Sequence, residues 1–177
     1  MTFNMMPDSA VRLSIIIPTL NEEGLLDHTL SFLAGYSHEM IVVDGGSLDR
    51  TMEVAFRYTP HVLSSACGRG PQQDRGARYA HGEIFLFLHA DTLLPHGFES
   101  MIEESLSDPH VVFGAFRLSI YPSRPLLNLI AIVANLRSWF LRMPYGDQAL
   151  LFEGSAIFSR VASKISPSWR MWIWLGD

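Results

Sequence analysis

The stretch LSIIIPTLNE, residues 13–22, decides the fold. Its apolar run at 13–17 is rich in isoleucine and stops at Pro18, which predicts a short buried strand. Asn21 and Glu22 mark the start of a helix, because leucines recur at helical spacing directly after them. A buried strand followed at once by an amphipathic helix is the opening unit of an α/β fold.

The same alternation continues along the chain. Further strands are predicted at residues 40–43, 61–64, 84–88 and 111–120. Further helices are predicted from after Ser47 to before Pro60, from 68 to 80, at 98–106 and at 126–141. Strands that alternate with helices are typical of a mostly parallel sheet with right-handed crossovers. We therefore predict one α/β domain over residues 1–177, with a Rossmann-like sheet flanked by helices.

Composition narrows the function. The chain has 177 residues, 48% of them hydrophobic, and 13 Lys and Arg against 18 Asp and Glu, for a net charge of −5. This mildly acidic balance leaves no basic surface for duplex nucleic acid, so we expect no nucleic-acid partner. The single Cys67 cannot form an internal disulfide, which favours the reducing cytoplasm. We expect neither a signal peptide nor a membrane span, since the longest apolar run, 126–133, is far below the ~20 residues needed.

Polar residues fall where three of the predicted strands end. In an open parallel sheet, ligands bind beyond the carboxyl ends of the strands, where helix N-termini point inward. The three clusters are Thr19, Asn21 and Glu22; Asp44, Gly45, Gly46 and Ser47; and His89 and Asp91. Three such clusters at one sheet edge indicate a binding site.

The residue types in these clusters suit a nucleotide and a metal. The Asp44 carboxylate can accept hydrogen bonds from a base or ribose, and the two glycines after it let backbone approach a ligand closely. Asp91 is a hard oxygen donor, suited to Mg²⁺ or Mn²⁺ bridging a diphosphate. The sequence has no Walker-type Gly-Lys-Ser/Thr, and 68–70 lacks the spacing of a dinucleotide fingerprint, which disfavours ATPase and NAD functions.

Three segments in this order carry a family resemblance: IIPTLNE at 16–22, VVDGGSLDRT at 42–51, and FLHADT at 87–92. Together they resemble family 2 inverting glycosyltransferases, which have the GT-A fold. The resemblance covers residues 13–152. The form His-Ala-Asp-Thr, with Tyr-Gly-Asp-Gln at 145–148, is most similar to a bacterial subgroup associated with radical-SAM genes and arsenosugar biosynthesis.

The resemblance implies a UDP- or GDP-sugar donor, a divalent cation and an acceptor of unknown identity. It implies a nucleotide pocket lined by Pro18, Thr19, Leu20, Glu22, Asp44, Gly45, Ser47, Arg69, Gln73, Arg75, His89 and Ala90. Asp91 would be the metal-binding final acid of the family's Asp-x-Asp motif, whose first acid is replaced by His89; the replacement removes a negative charge near the metal. Asp74 stands where the family usually has Asn, with Arg69 and Arg75 available to offset its charge.

Asp147 is the candidate catalytic residue on the acceptor side. Inverting transfer needs a general base there to deprotonate the acceptor hydroxyl, and a carboxylate can serve as that base. Several of these residues also have a purely structural interpretation. Asn21 could be a helix cap and not a ligand contact, and Ser47 and Asp49 could be a helix cap and a helix-dipole partner. Arg69 and Arg75 could be solvated surface charges.

The resemblance stops at Phe152. The family would continue with two arginines, a Gly-Gly-Phe turn and an Ile-Pro-Leu-Met-Glu-Asp segment, whose Glu-Asp pair usually supplies the base. A message encoding such a continuation, read one base later, yields the sequence of residues 153–174. We therefore hypothesise a reading-frame slip after Phe152, and we expect the tail 153–177 not to pack as part of the fold.

Two functions stay open at this point. One is metal-assisted sugar transfer with inversion, in which 13–110 binds the nucleotide and 111–152 forms the acceptor side. The other is a catalytically impaired nucleotide-binding remnant; a nucleotidyltransferase is a weaker third. The predicted helix 126–141 could pack in the core, lie on the inner face of a membrane or form a homodimer face, and core packing is favoured.

Overall fold

The computed structural model describes residues 12–108, 111–120, 124–141, 149–153 and 170–174. The strands are β1 (Leu13–Thr19), β2 (Glu39–Asp44), β3 (Val62–Ser64), β4 (Ile84–Phe87), β5 (Val111–Phe116), β6 (Leu150–Glu153) and β7 (Arg170–Trp174). The helices are α1 (Glu23–Leu33), α2 (Thr51–Phe56), α3 (Arg69–Tyr79), α4 (Phe98–Leu106) and α5 (Pro125–Leu141). The predicted alternation of strands and helices is confirmed through α5.

The seven strands form one sheet in the order β3-β2-β1-β4-β6-β5-β7. β1 pairs in parallel with both β2 and β4, β3 pairs in parallel with β2, and β7 pairs in parallel with β5. β6 is antiparallel to both of its neighbours, β4 and β5. β5 therefore runs in the same direction as β4, and β6 alone among the described strands runs against the rest. This is the mostly parallel α/β sheet predicted from the sequence.

The isoleucine run of β1 is buried on both faces of the sheet. Ile15 and Ile17 join the core that contains Leu26 and Leu30 of α1, whereas Ile16 joins a second core beneath Ala77 of α3. Because side chains alternate between the faces of a strand, a continuous apolar run is what a central strand covered by helices on both sides requires.

The structure extends β1 beyond its predicted end. β1 passes through Pro18 to Thr19, although proline was expected to stop it. The reason is that the ladder between β1 and β4 ends at Ile16 and Phe87, so none of the described strands lies beside Pro18 on that side, where an N–H would be needed. β5, in contrast, ends at Phe116, four residues before its predicted end.

The C-terminal part contributes two strands that were not predicted. β6 inserts between β4 and β5, with Leu150 opposite Phe87. The expectation that residues 153–177 stay outside the fold is wrong for Glu153, which ends β6, and for 170–174, which form β7 at the sheet edge. The reading-frame slip itself stays a hypothesis.

The expected core packing of α5 is wrong for most of its apolar side chains. Ala131 and Asn135 are its buried residues among those described. Seven large apolar side chains of α5 are instead exposed by 49–73%: Leu126, Leu129, Ile130, Ile132, Val133, Leu136 and Phe140. None of the described helices combines the length and apolar character needed to cross a bilayer.

Candidate functional site

The three polar clusters meet at one edge of the sheet. β1 lies between β2 and β4 and runs parallel to both, so the carboxyl ends of all three strands share that edge. Thr19 is aligned with Asp44 across the β1–β2 pair. Asp44 and Asp91 therefore flank the same edge, with the residues that follow β1 between them.

The loops after β1 and β2 are joined by reciprocal hydrogen bonds. The Asn21 N–H donates to the Ser47 hydroxyl oxygen at 2.9 Å, and the Leu48 N–H donates to Asn21 Oδ1 at 2.8 Å. Asn21 has a φ of 55°, in the left-handed region that asparagine tolerates better than most residues. Asn21 therefore links the loop after β1 to the loop after β2 by hydrogen bonds. It does not form the helix cap that was considered from the sequence.

Asp49 makes a second connection between the same loops. Its carboxylate accepts the Glu23 N–H at 3.2 Å and the Thr51 N–H at 3.0 Å, and the Thr51 hydroxyl oxygen accepts the Glu22 N–H at 2.8 Å. Since α2 begins only at Thr51, Asp49 precedes the helix in whose first turn it was predicted. It serves both helix starts, because Glu23 is the first residue of α1.

Asp44 is only 2% exposed, and its carboxylate orders its own loop. Oδ2 accepts the N–H groups of Gly46 and Ser47, each at 2.9 Å, and Oδ1 accepts the Ser47 hydroxyl at 2.5 Å. A carboxylate offers about four acceptor positions, so these three bonds leave room for one further donor. Asp44 can thus be both a loop-ordering residue and an acceptor for one N–H or O–H of a ligand.

Gln72 of α3 is a site residue that sequence reasoning missed. It is 3% exposed, and its Nε2 donates to the carbonyl oxygens of Thr19 and Val43, both at 2.7 Å. A Cβ on Gly45 would lie 3.2 Å from the Gln72 side chain, so the close approach favours glycine there. Gln72 therefore fixes the ends of β1 and β2 relative to each other beneath the site.

The sequence feature that could have identified Gln72 is the pair of small residues Gly76-Ala77. Small side chains allow close packing, so this pair marks the face of α3 that approaches the strands. Gln72 lies one helical turn before that pair, on the same face. The predicted pocket residue Gln73 is half-buried at the next position.

The arginines of α3 differ in their partners. Arg78 pairs with Asp74 at 2.9 Å and holds the pKa of that carboxyl below its usual value. The charge of Asp74 is thus offset by Arg78, and not by Arg69 or Arg75 as expected. Within the described ranges Arg69 and Arg75 are exposed and form no ion pair. Arg69 is also the first residue of α3, where the helix dipole is positive.

Glu22 and Asp91 interact electrostatically across the edge. Burial raises the pKa of Glu22, and the negative charges of Asp91 and then Asp49 raise it further. Asp91 is exposed, and its Oδ1 accepts the Thr92 hydroxyl at 3.3 Å. A cation close to both carboxylates would be attracted by two negative charges, which attract it more strongly than either alone.

The segment that carries Asp91 is held from α1. The buried Thr29 hydroxyl donates to the Ala90 carbonyl oxygen at 2.7 Å. Ala90 is 3% exposed, and His89, in the position of the family's first acid, is half-buried. Among the remaining predicted pocket residues, Pro18 is half-buried, Thr19 is buried and Leu20 is 39% exposed at the rim. Asp147 lies outside the described residues.

The described residues fit a cation that is shared with a ligand. Across the described ranges, no group of three or more His, Cys, Asp or Glu side chains could hold a metal ion. Asp91 and Glu22 offer one or two carboxylates, which is the set that Mg²⁺ uses when substrate phosphates and water complete its coordination.

Comparisons with known proteins agree with this geometry. The model of "Glycosyl transferase family 2" matches residues 14–160. Human dolichyl-phosphate beta-glucosyltransferase is 30% identical over 117 residues, which are 55% of this chain and 36% of that protein. A PGL/p-HBAD biosynthesis glycosyltransferase of Mycobacterium bovis is 34% identical over 96 residues, which are 49% of this chain and 38% of that protein.

Among solved structures, glucosyl-3-phosphoglycerate synthase from Mycobacterium tuberculosis in complex with Mg²⁺ and UDP superposes with a TM-score of 0.60 at 19% identity, covering 84% of this chain and 58% of that chain. This likeness shows the fold. The chain spans about a third of the length of the curated relatives that it matches. Because the family model matches well over half of the chain, the protein belongs to glycosyl transferase family 2.

Proposed function

We propose that this domain binds a nucleoside-diphosphate sugar at the carboxyl edge of β1, β2 and β4 and transfers the sugar to an acceptor hydroxyl with inversion. The observation that carries the proposal is the convergence of Asp44, Glu22 and Asp91 on that one edge. Asp44 ends β2, Glu22 follows β1 and Asp91 follows β4, and open α/β sheets bind their ligands at this edge.

The base and ribose would lie over the ends of β1 and β2. Asp44 is held by its loop with one acceptor position free, which suits an N–H of uracil or guanine. The half-buried Pro18 and the exposed Leu20 supply apolar surface at the rim. The UDP complex of the mycobacterial synthase supports a donor of the uridine type.

The diphosphate would lie between the start of α3 and Asp91. Arg69 and Arg75 have no carboxylate partner in the described ranges and can therefore bind phosphate oxygens. Asp91, together with Glu22, would hold Mg²⁺ or Mn²⁺. A divalent cation in this place supplies positive charge for the leaving diphosphate.

Asp147 is the proposed general base. β6 begins at Leu150, three residues after Asp147, and Leu150 is aligned with Phe87 at the end of β4. In the transfer, the base takes the proton of the acceptor hydroxyl while that oxygen attacks the anomeric carbon. The bond from this carbon to the diphosphate oxygen breaks on the opposite face, and the diphosphate leaves with the electron pair.

We propose that donor binding and acceptor binding are carried out by different parts of the chain. Residues 13–110 would bind the donor, and 111–152 would face the acceptor. The exposed thiol of Cys67 fits a reducing compartment, and we place the reaction in the cytoplasm. A nucleotide-binding remnant is the second candidate, because the chain lacks the Glu-Asp pair that the family usually uses as a base.

Nucleotide binding with and without Mn²⁺ tests the proposal. We expect UDP or GDP to raise the melting temperature, with a larger increase when Mn²⁺ is present. Asp91→Asn should abolish the Mn²⁺-dependent part, whereas Glu103→Gln, on the exposed surface of α4, should leave it unchanged. Transfer from a matching nucleotide sugar would support the enzyme, binding without transfer would favour the remnant, and no binding by any nucleotide would contradict both.

A further inference from the structure

We propose that the exposed apolar face of α5 docks onto an anionic lipid bilayer, with the helix lying in the plane of the membrane surface. The proposal rests on the exposure of α5 and on the charge of its surroundings, and it does not depend on the donor chemistry proposed above. It names a partner surface for the domain and the residues that contact it.

The first observation is the size and shape of the exposed face. Its seven large apolar side chains are those from Leu126 to Phe140 given above, and each is about half exposed or more. At 100° per residue they occupy an arc of roughly 160° on one side of the helix. An exposed apolar face of this extent on a folded domain marks an interaction site.

The second observation is that the opposite side of α5 is anchored to the domain. Asn135 donates from Nδ2 to the Leu118 carbonyl oxygen at 2.9 Å, and its Oδ1 accepts the Leu118 N–H at 2.8 Å. Ala131, one turn earlier, is 7% exposed. The middle of the helix is therefore anchored to the chain that follows β5 by the side opposite the apolar face, which leaves that face available to a surface.

The third observation is the positive charge of the segment that contains α5, and this charge favours an anionic bilayer over a second copy of the chain as the partner. Residues 109–146 contain four arginines, at 117, 124, 137 and 142, and no Asp or Glu. The rest of the chain has 9 Lys and Arg against 18 acids, so a segment of charge +4 stands in a remainder of charge −9. Two copies that met through this face would bring like charges together, whereas anionic lipid attracts each arginine by about 1 kcal/mol.

The position of α5 gives the docking a consequence for the site. β5 runs in the same direction as β4, so the chain leaves β5 at the edge where Asp91 lies and then enters α5 at Pro125. A bilayer against α5 would therefore lie on the side of the domain where a lipid-borne acceptor could reach the donor.

Vesicle flotation of the full chain, without nucleotide, tests the docking. We expect binding to phosphatidylcholine vesicles that contain phosphatidylglycerol, weaker binding at high salt, and little binding to pure phosphatidylcholine. Phe140→Ser should weaken binding about tenfold, since burying one aromatic side chain is worth at least about 1.4 kcal/mol. Phe56→Ser is the matched control, because Phe56 is 57% exposed on α2, and it should bind like the unchanged protein.

A second variant keeps the test independent of apolar packing. Arg124→Glu, at an exposed position just before α5, should weaken binding to the anionic vesicles about tenfold or more and should leave the melting temperature unchanged. Equal loss in Phe140→Ser and Phe56→Ser would overturn the proposal. So would absence of vesicle binding together with a dimer, measured by light scattering, that Leu129→Gln dissociates.

Discussion

Replacing Gly76 with alanine tests how α3 is seated on the sheet. The added methyl group would collide with Cγ2 of Ile16 and would lie 3.1 Å from Cγ2 of Val43. Ile16 is completely buried, so it cannot move into solvent. α3 would have to lift from β1 and β2, and Gln72 would lift with it.

The magnitude follows from two opposing contributions. Overpacking a buried contact costs about 1–3 kcal/mol, and alanine in a helix is worth roughly 0.5–1 kcal/mol over glycine. The expected net loss is about 0–2.5 kcal/mol, or up to roughly 10 °C in melting temperature for a chain of this size. Gly24→Ala, in α1, is the matched control, because nothing lies within 4 Å of its added methyl group. It should leave stability unchanged or raise it slightly.

Urea unfolding of both variants, combined with Ile16→Ala in a double-mutant cycle, measures the contact. Removing the Ile16 side chain opens space for the new methyl group, so the double variant should be more stable than the sum of the single changes predicts, by about 1–3 kcal/mol. The reasoning is refuted if Gly76→Ala is as harmless as Gly24→Ala, or if the two changes at Gly76 and Ile16 simply add.

Two carboxylates with shifted pKa values give predictions of opposite sign. The pKa of Glu22 is raised, so its ionised form is disfavoured in the folded state. Above about pH 4.5, where Glu22 ionises, Glu22→Gln should therefore have a higher melting temperature than the unchanged protein. The same variant should bind nucleotide more weakly in the presence of Mn²⁺. A lower melting temperature near neutral pH would contradict this. Burial raises the pKa of Glu39, but hydrogen bonds from His81 and from the Ser14 hydroxyl outweigh it and hold that pKa below the usual value. Glu39→Gln should therefore destabilise the protein near neutral pH, and urea midpoints should show the difference shrinking below about pH 4.5 as the wild-type carboxylate is protonated; a difference independent of pH would refute the assignment.

Local sequence patterns predicted the elements whose structure is decided locally. α4 has its predicted bounds, because Phe98 and Ile102 repeat at helical spacing and pack in the core. The edge that gathers Asp44 and Asp91 was also predictable, since parallel strands present their carboxyl ends together. β6 was not, because its four residues carry no turn signal and its partner Phe87 is distant in the chain.

Contacts between loops were equally beyond local reasoning. Asn21, Ser47 and Asp49 are each typical helix-cap residues in the sequence, yet each also forms a hydrogen bond between the segment that follows β1 and the segment that follows β2. The choice between Gln72 and Gln73 depends on the rotation of α3 about its axis, which the buried Gly76 sets.

The place of β6 in the sheet has a consequence for synthesis on the ribosome. The strands from β1 to β4 are complete while β6 is still to be translated, so one edge of β4 has no neighbour during that interval. An unpaired strand edge is a template for pairing with other chains. Slow translation after Phe87 would prolong that interval, and with it the time during which the free edge of β4 can pair with another chain before Leu150 emerges.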